Sequence, residues 1–291
     1  MSAKGILLAG GKGTRLAPTT IALNKHLIPI YDKPMIYYPL STLMHCGLRE
    51  IALITNSYDV EQFKKLLGDG SQLGIQISYF IQNEPRGLPD AFKITEAYLG
   101  NDSSVLALGD NVFTGAGFGM NLRNYISNFG ASIFAIPVND PSNYGIVEFN
   151  EIDVAISLEE KPMRPKSNFA IPGLYFLDNR ASLYSSKLVP SKRGELEMLD
   201  LLDMYLKNGD LKVNQLRRGL GWLDAGTTEN LFLASELVRI HQVRQGMRIG
   251  VPEEIAFNNG WISTLELSKL ATGYRNTEYG DYLLRIMLQN D

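Results

Sequence analysis

The sequence predicts an α/β chain: a Rossmann-like, mostly parallel mixed sheet flanked by helices, then a β-rich middle third and a helical C-terminal end. Three observations carry this expectation. Short, nearly continuous apolar runs recur along the first half, as strands buried on both faces should. Stretches with apolar residues at helical spacing separate those runs. From about residue 228 onward helical patterns dominate, TENLFLASELVRIHQV at 228–243 being the clearest.

Taken in order, the expected strands are GILLA (5–9), EIALIT (50–55), IQISYFI (75–81), VLALG (105–109) and ASIFAIPV (131–138). Leu40, Leu43, Met44 and Gly47 mark a helix between the first two, and Phe63, Leu66 and Leu67 mark another after the second. Asp59 and Asp90 stand where helix N-caps are expected. The middle third adds YGIVEF (144–149), VAISLEE (154–160) and FAIPGLYFL (169–177). With no repeat, low-complexity tract or linker, the expectation is a single unit, 1–227 as core and 228–291 as a helical extension. Ligands in such sheets bind at the carboxyl ends of the strands.

Composition excludes several classes. A formal charge of −3 over 291 residues and no like-charge block argue against nucleic acid. One cysteine, Cys46, cannot form an internal disulfide, and with three histidines a Cys/His zinc site is not expected. The apolar run in MSAKGILLAGG is too short for a signal peptide and nothing later approaches a membrane span, so a cytoplasmic protein is expected.

The first strand empties into Gly10-Gly11-Lys12-Gly13-Thr14-Arg15. A dinucleotide fingerprint fails because Leu16 stands where its last glycine belongs, and a P-loop fails because Gly13, not Ser or Thr, follows Lys12. What remains is a loop whose glycines let backbone N–H groups approach an anion. Arg15 adds a bidentate fork, and Lys25 follows ten residues on.

At these residues the chain resembles the sugar-1-phosphate nucleotidyltransferases, and among them the short-form glucose-1-phosphate thymidylyltransferases. The resemblance runs through LAGGKGTRLAPTT, NKHLIPIYDKPMIYYPLSTLM, LLGDGSQLGIQISY, ALGDNVF, VNDPSNYGIVEF, SLEEKPMRPKSNFAIPGLYF, RGELE, GWLDAGT and PEEIAF, nearly the whole chain. It implies the nucleotidyltransferase fold with a sugar-binding β-rich part. It also implies transfer of a thymidylyl group from dTTP to α-D-glucose 1-phosphate, with Mg²⁺ as cofactor and a homotetramer as the assembly. By the same resemblance, Arg15, Lys25 and Lys161 are catalytic. Gly10, Gly11, Gly13, Thr14, Gln82, Gly87 and Asp110 face the nucleotide. Asn111, Gly145, Glu160, Lys161, Gly173 and Arg193 face the sugar phosphate, and Asp110 with Asp224 holds the metal.

The chain departs from the family pattern at four places. Asn24 and His26 flank Lys25 where Ser and Gln are usual, and Pro89-Asp90 interrupts a usual Gly-Leu-Ala-Gln-Ala-Phe. Thr114 and Ala116 stand for a common tyrosine and histidine near the family's feedback-inhibitor site, and Ala225 for a threonine. The second departure leaves dTTP against UTP open. Another hexose 1-phosphate and a non-catalytic sugar-nucleotide sensor are the other readings.

Overall fold

A computed structural model describes residues 2–115, 117–216 and 219–289. Its strands, in chain order, are β1 (Ala3–Leu8), β2 (Pro29–Ile30), β3 (Lys33–Pro34), β4 (Glu50–Thr55), β5 (Gln76–Ile81), β6 (Ser103–Leu108) and β7 (Asn111–Thr114). They continue with β8 (Ala131–Pro137), β9 (Gly145–Phe149), β10 (Ala155–Glu160), β11 (Phe169–Ala170), β12 (Leu174–Leu177), β13 (Leu211–Gln215) and β14 (Gly221–Asp224). The helices are α1 (Tyr37–His45), α2 (Val60–Leu67), α3 (Asp90–Ile94), α4 (Glu96–Leu99), α5 (Arg180–Lys187), α6 (Met198–Lys207), α7 (Thr228–Gln245), α8 (Pro252–Asn258), α9 (Thr264–Gly273) and α10 (Glu278–Gln289).

The main sheet has the order β10-β9-β11-β8-β12-β6-β1-β4-β5, with β13 joined to β8. Strands β5, β4, β1 and β6 are parallel; β12 is antiparallel to both β6 and β8, and β13 is parallel to β8. Alternation along β1 sends Leu7 to one face and Ile6 and Leu8 to the other. Leu7 joins a core with α1, α2, α8, α9 and α10; Ile6 and Leu8 join one with α3, α5 and α6. Both faces of the parallel strands are therefore buried, which is why they read as unbroken apolar runs.

The predicted mixed α/β sheet and helical C-terminal end are present, the latter beginning with α7 at Thr228. Two expectations are corrected, for 169–177 and for Asp90, and that for Asp59 is met in position alone. The run 169–177 is not one strand but two: Pro172 lacks a ladder donor, and Gly173 lies so close to Leu108 that a Cβ there would sit 2.4 Å from its Cδ1. Asp59 occupies the N-cap position of α2, yet its carboxylate makes no cap bond and instead accepts from Asn24 and Asn56. Asp90 is the first residue of α3, whose N-cap is Pro89, and its carboxylate turns to Gln82. Among the described residues no helix is long and apolar enough to cross a membrane.

Candidate active site

The strand order reverses around β1, so the carboxyl ends of β1 and β6 open onto a crevice between them. The two ends are tied together by the Gly109 N–H donating to the Leu8 carbonyl at 2.8 Å. From β1 the loop 10–15 rises, and Gly13 takes a left-handed φ of 62° that admits little but glycine. A side chain there would also meet Thr20 and Lys25. The Thr20 hydroxyl donates to the Gly13 carbonyl at 2.8 Å, fixing the turn.

Lys25 reaches under this loop and donates to Asp110 Oδ2 at 2.5 Å. Burial by itself would raise the Asp110 carboxyl, but Lys25, with His26 and Asn111, holds it well below the usual carboxylate range. His26 is buried behind the pair, and burial followed by the Lys25 charge lowers its pKa to about 3. It is a neutral imidazole at any ordinary pH. Its backbone N–H and its Nδ1 both lie against Asn24 Oδ1, at 2.9 and 2.8 Å. Since that oxygen only accepts, Nδ1 carries the proton. The Asn24 amide donates in turn to the Ala9 carbonyl and to Asp59. The Asn24 and His26 departures thus form one lattice that orients Lys25.

Asp110 and Asp224 come from sequence positions far apart. The ribbon of β7 with β14 pairs Asn111 with Asp224, and Ala225 N–H donates to the Asp110 carbonyl at 2.8 Å. Arg15 lies over the same turn: a Cβ built on Gly226 would be 2.7 Å from its Nη2 and 2.9 Å from Asp224 Oδ1. Among the described residues the Arg15 guanidinium has no hydrogen-bond or ion-pair partner, so its donors are free for a ligand.

Two cavities meet at Gly11, Lys12, Lys25 and Asp110. The first, about 370 Å³, is walled by Gly10, Gln82, Gly87 and Leu88. Gly87 has φ 98° and is clasped to Leu196, where any Cβ would strike the Leu196 carbonyl at 2.1 Å. The second, about 560 Å³, is lined by Gly13, Thr14, Arg15, Asn111, Gly145, Glu160, Lys161, Gly173, Arg193 and Asp224. Every residue that the resemblance assigned to the reaction, to a substrate or to the metal lines one of the two cavities.

Within the second cavity, Lys161 follows β10 in a left-handed conformation, φ 44°, held by its N–H donating to the Tyr144 carbonyl. Such a backbone costs about 1–3 kcal/mol in a non-glycine residue and tends to mark functional positions. Glu160 lies 3.7 Å from Lys161 and 3.2 Å from Arg193. Burial raises the Glu160 carboxyl, against the pull of those two cations. Arg193 is gripped by Glu197 at 2.6 Å. The Asn111 carboxamide is spent inside the protein: its oxygen accepts from Gly173 N–H and Trp222 Nε1, and its nitrogen donates to Asp110. It fixes the floor of the cavity.

Lys12, Asn56, Glu195, Glu197 and Trp222 also stand in the walls, beyond the residues expected from the sequence. Lys12, Glu195, Glu197 and Trp222 have a signal, lying inside the glycine loop, RGELE and GWLDAGT; Asn56 lies outside every such motif. Thr114 lines a third cavity of about 610 Å³ with His45, His241 and Arg248, while Ala116 lies outside the described residues.

Residues 4–240 match the nucleotidyl transferase family. The chain is 52% identical over 285 residues to glucose-1-phosphate thymidylyltransferase of Neisseria meningitidis, covering 98% of this chain and 99% of that one. It is 48% identical over 287 residues to the enzyme of the same name from Mycobacterium tuberculosis, covering 99% and 100%. Among solved structures it resembles a Bacillus anthracis protein assigned as a glucose-1-phosphate thymidylyltransferase, in complex with sucrose. The TM-score there is 0.75, with 37% identity and coverage of 82% of this chain and 96% of that one. A UDP-glucose pyrophosphorylase bound to UDP-glucose superposes with TM-score 0.72 over 82% of this chain and 99% of that one; at 24% identity this is a likeness of fold.

Proposed function

The chain belongs to the nucleotidyl transferase family, and from that premise we propose that it transfers the thymidylyl group of dTTP to α-D-glucose 1-phosphate, releasing pyrophosphate. The observation that carries this is the junction of two cavities at Gly11, Lys12, Lys25 and Asp110. A nucleotide in the first and a sugar phosphate in the second bring their phosphates together there.

In the reaction, an oxygen of the sugar phosphate forms a bond to the α-phosphorus as the bond from that phosphorus to the β-phosphate bridging oxygen breaks. The attacking group is largely ionised at neutral pH, a phosphate monoester having a second pKa of about 6. No general base is required, in keeping with a neutral His26. What the protein supplies is alignment of two anions and cationic stabilisation of the charge that moves. Lys25 lies at the junction to meet the phosphates in transfer, Arg15 to meet the leaving pyrophosphate, and Lys161 with Arg193 to hold the sugar phosphate. Glu160 and the backbone around Gly145 face the sugar hydroxyls; Gln82 and Gly87 face the base.

Asp110, just before β7, and Asp224, at the end of β14, are hard oxygen donors at one end of the ribbon, and among the described residues no group of three or more His, Cys, Asp or Glu could hold a metal. Two carboxylates with phosphate and water oxygens making up the remainder suit Mg²⁺, and we assign them to it. The bound ion would screen the triphosphate charge. A homotetramer in the cytoplasm fits the reading. Phe232, Leu233, Ile240 and Val243 leave apolar surface on α7, 41–66% exposed, that an assembly would cover.

The test is Mg²⁺-dependent pyrophosphate release with glucose 1-phosphate, dTTP beside UTP. A methyl group is worth only about 1–3 kcal/mol, so UTP is the competitor to include. Turnover of dTTP supports the proposal; silence with every nucleotide and with other hexose 1-phosphates, while dTTP still binds, overturns it in favour of a sensor.

A further inference from the structure

The Gln82 side chain stands in the wall of the first cavity, and its orientation is not free. Its backbone N–H donates to the Thr55 carbonyl at 2.8 Å, continuing the β4–β5 ladder one residue past its end. Its Nε2 donates to Asp90 Oδ2 at 2.8 Å. A carboxylate accepts and never donates, so the amide can face Asp90 only through its nitrogen. Oε1 is thereby turned toward Gly10, lying 3.6 Å from a Cβ built there, and among the described residues nothing donates to it. Asp90 is itself held firmly. It opens α3, the next two residues Ala91 and Phe92 are wholly buried, and the Ser185 hydroxyl clamps the Pro89 carbonyl at 2.6 Å. Asp90 does not wall the first cavity; it acts from behind Gln82.

We propose that Asp90 is a positioning residue that sets base selectivity by locking the Gln82 amide with its oxygen and one N–H presented to the nucleobase. This rests on the nucleotide reading of the first cavity. Thymine and uracil offer an N3–H donor beside a carbonyl acceptor, which match Oε1 and the remaining Nε2–H. Cytosine offers an N3 acceptor beside an amine donor, so in the same pose both contacts are mismatched. Turning the amide over would satisfy cytosine, but it would drive Oε1 against the Asp90 carboxylate. Asp90 therefore excludes cytosine without touching it and does not distinguish thymine from uracil. An uncharged neighbour able to donate or accept would leave the amide free to turn.

The experiment compares kcat/KM for dTTP, UTP and dCTP in the wild type, Asp90→Asn and Asp90→Ala, with glucose 1-phosphate and Mg²⁺. Asparagine keeps the shape and can meet either end of the amide. The expected result is that dCTP gains on dTTP by at least about tenfold in Asp90→Asn and Asp90→Ala, while the dTTP-to-UTP ratio moves by less than about twofold. A purely structural role would instead lower all three nucleotides in proportion, and that result overturns the inference. Wild-type turnover of dCTP equal to that of dTTP also overturns it, while leaving the transferase reading intact. Dissociation constants for dTTP and dCTP, measured without sugar phosphate, read the same ratio if turnover in the variants is lost. Failure of every pyrimidine nucleotide to bind or react overturns both readings together.

Discussion

On the nucleotide side of the junction, Lys25 and Asp110 are paired and only 14% and 13% exposed, and a lattice of Asn24, His26 and Asp59 stands behind them. On the sugar side, Lys161 and Arg193 are 49% and 45% exposed. Lys25 and the two sugar-side cations therefore act in different media. Water excluded from the first strengthens each charge there and leaves any unpaired one costly, whereas solvent screens the second. The difference teaches that the first side is organised before a ligand arrives, and that the second becomes an effective trap only once a ligand displaces its water.

The sharpest way to break this comparison is Lys25→Ala. It should cost about 3–4 kcal/mol of transition-state stabilisation, seen as a 10²–10³-fold fall in the rate of pyrophosphate release. A loss no larger than that of Arg193→Ala would abolish the distinction between the sides. Next in size is a pH effect confined to the first side. His26 binds its proton in the unfolded chain near pH 6.5 but in the folded one only near pH 3, so folding loses stability as pH falls through that window. At pH 5 the deficit is about 2 kcal/mol. His26→Gln should flatten the fall in Tm between pH 7 and 5; an unchanged slope would place the titration elsewhere.

Arg193→Ala sharpens the other half of the comparison. Its exposed setting predicts roughly a fivefold rise in KM for glucose 1-phosphate with kcat and KM for dTTP little altered, since screened charges are worth about 1 kcal/mol. The smallest effect belongs to neither side. Ser263 and Glu266 cap α9 reciprocally, so Ser263→Ala should lower stability by about 1 kcal/mol and leave the kinetics untouched, a control for generic destabilisation.

The parallel half of the sheet was legible because strands buried on both faces announce themselves as apolar runs, and β4 was placed residue for residue at 50–55. The glycine loop and its cations were legible because they are contiguous. Carboxylate partners were not. An aspartate at a helix start reads as a cap, yet the Asp59 carboxylate goes to Asn24 and Asn56 and that of Asp90 to Gln82, and nothing in the local pattern names those amides. Likewise nothing local to GWLDAGT tells that Asp224 meets the Asp110 strand, because the β7–β14 pairing spans a long sequence separation. The interruption at Pro172 was written in the sequence but outweighed by the apolar residues around it.

The stretch from Asn143 to Leu199 lines the second cavity along much of its length and touches the first through Glu195 alone. The acceptor wall of the second pocket is thus written largely in one paragraph of the chain, while the walls the two pockets share come from other segments. Drift or recombination within that paragraph can rewrite the acceptor wall and leave the first pocket nearly unedited, so a lineage can try new acceptors without relearning its donor.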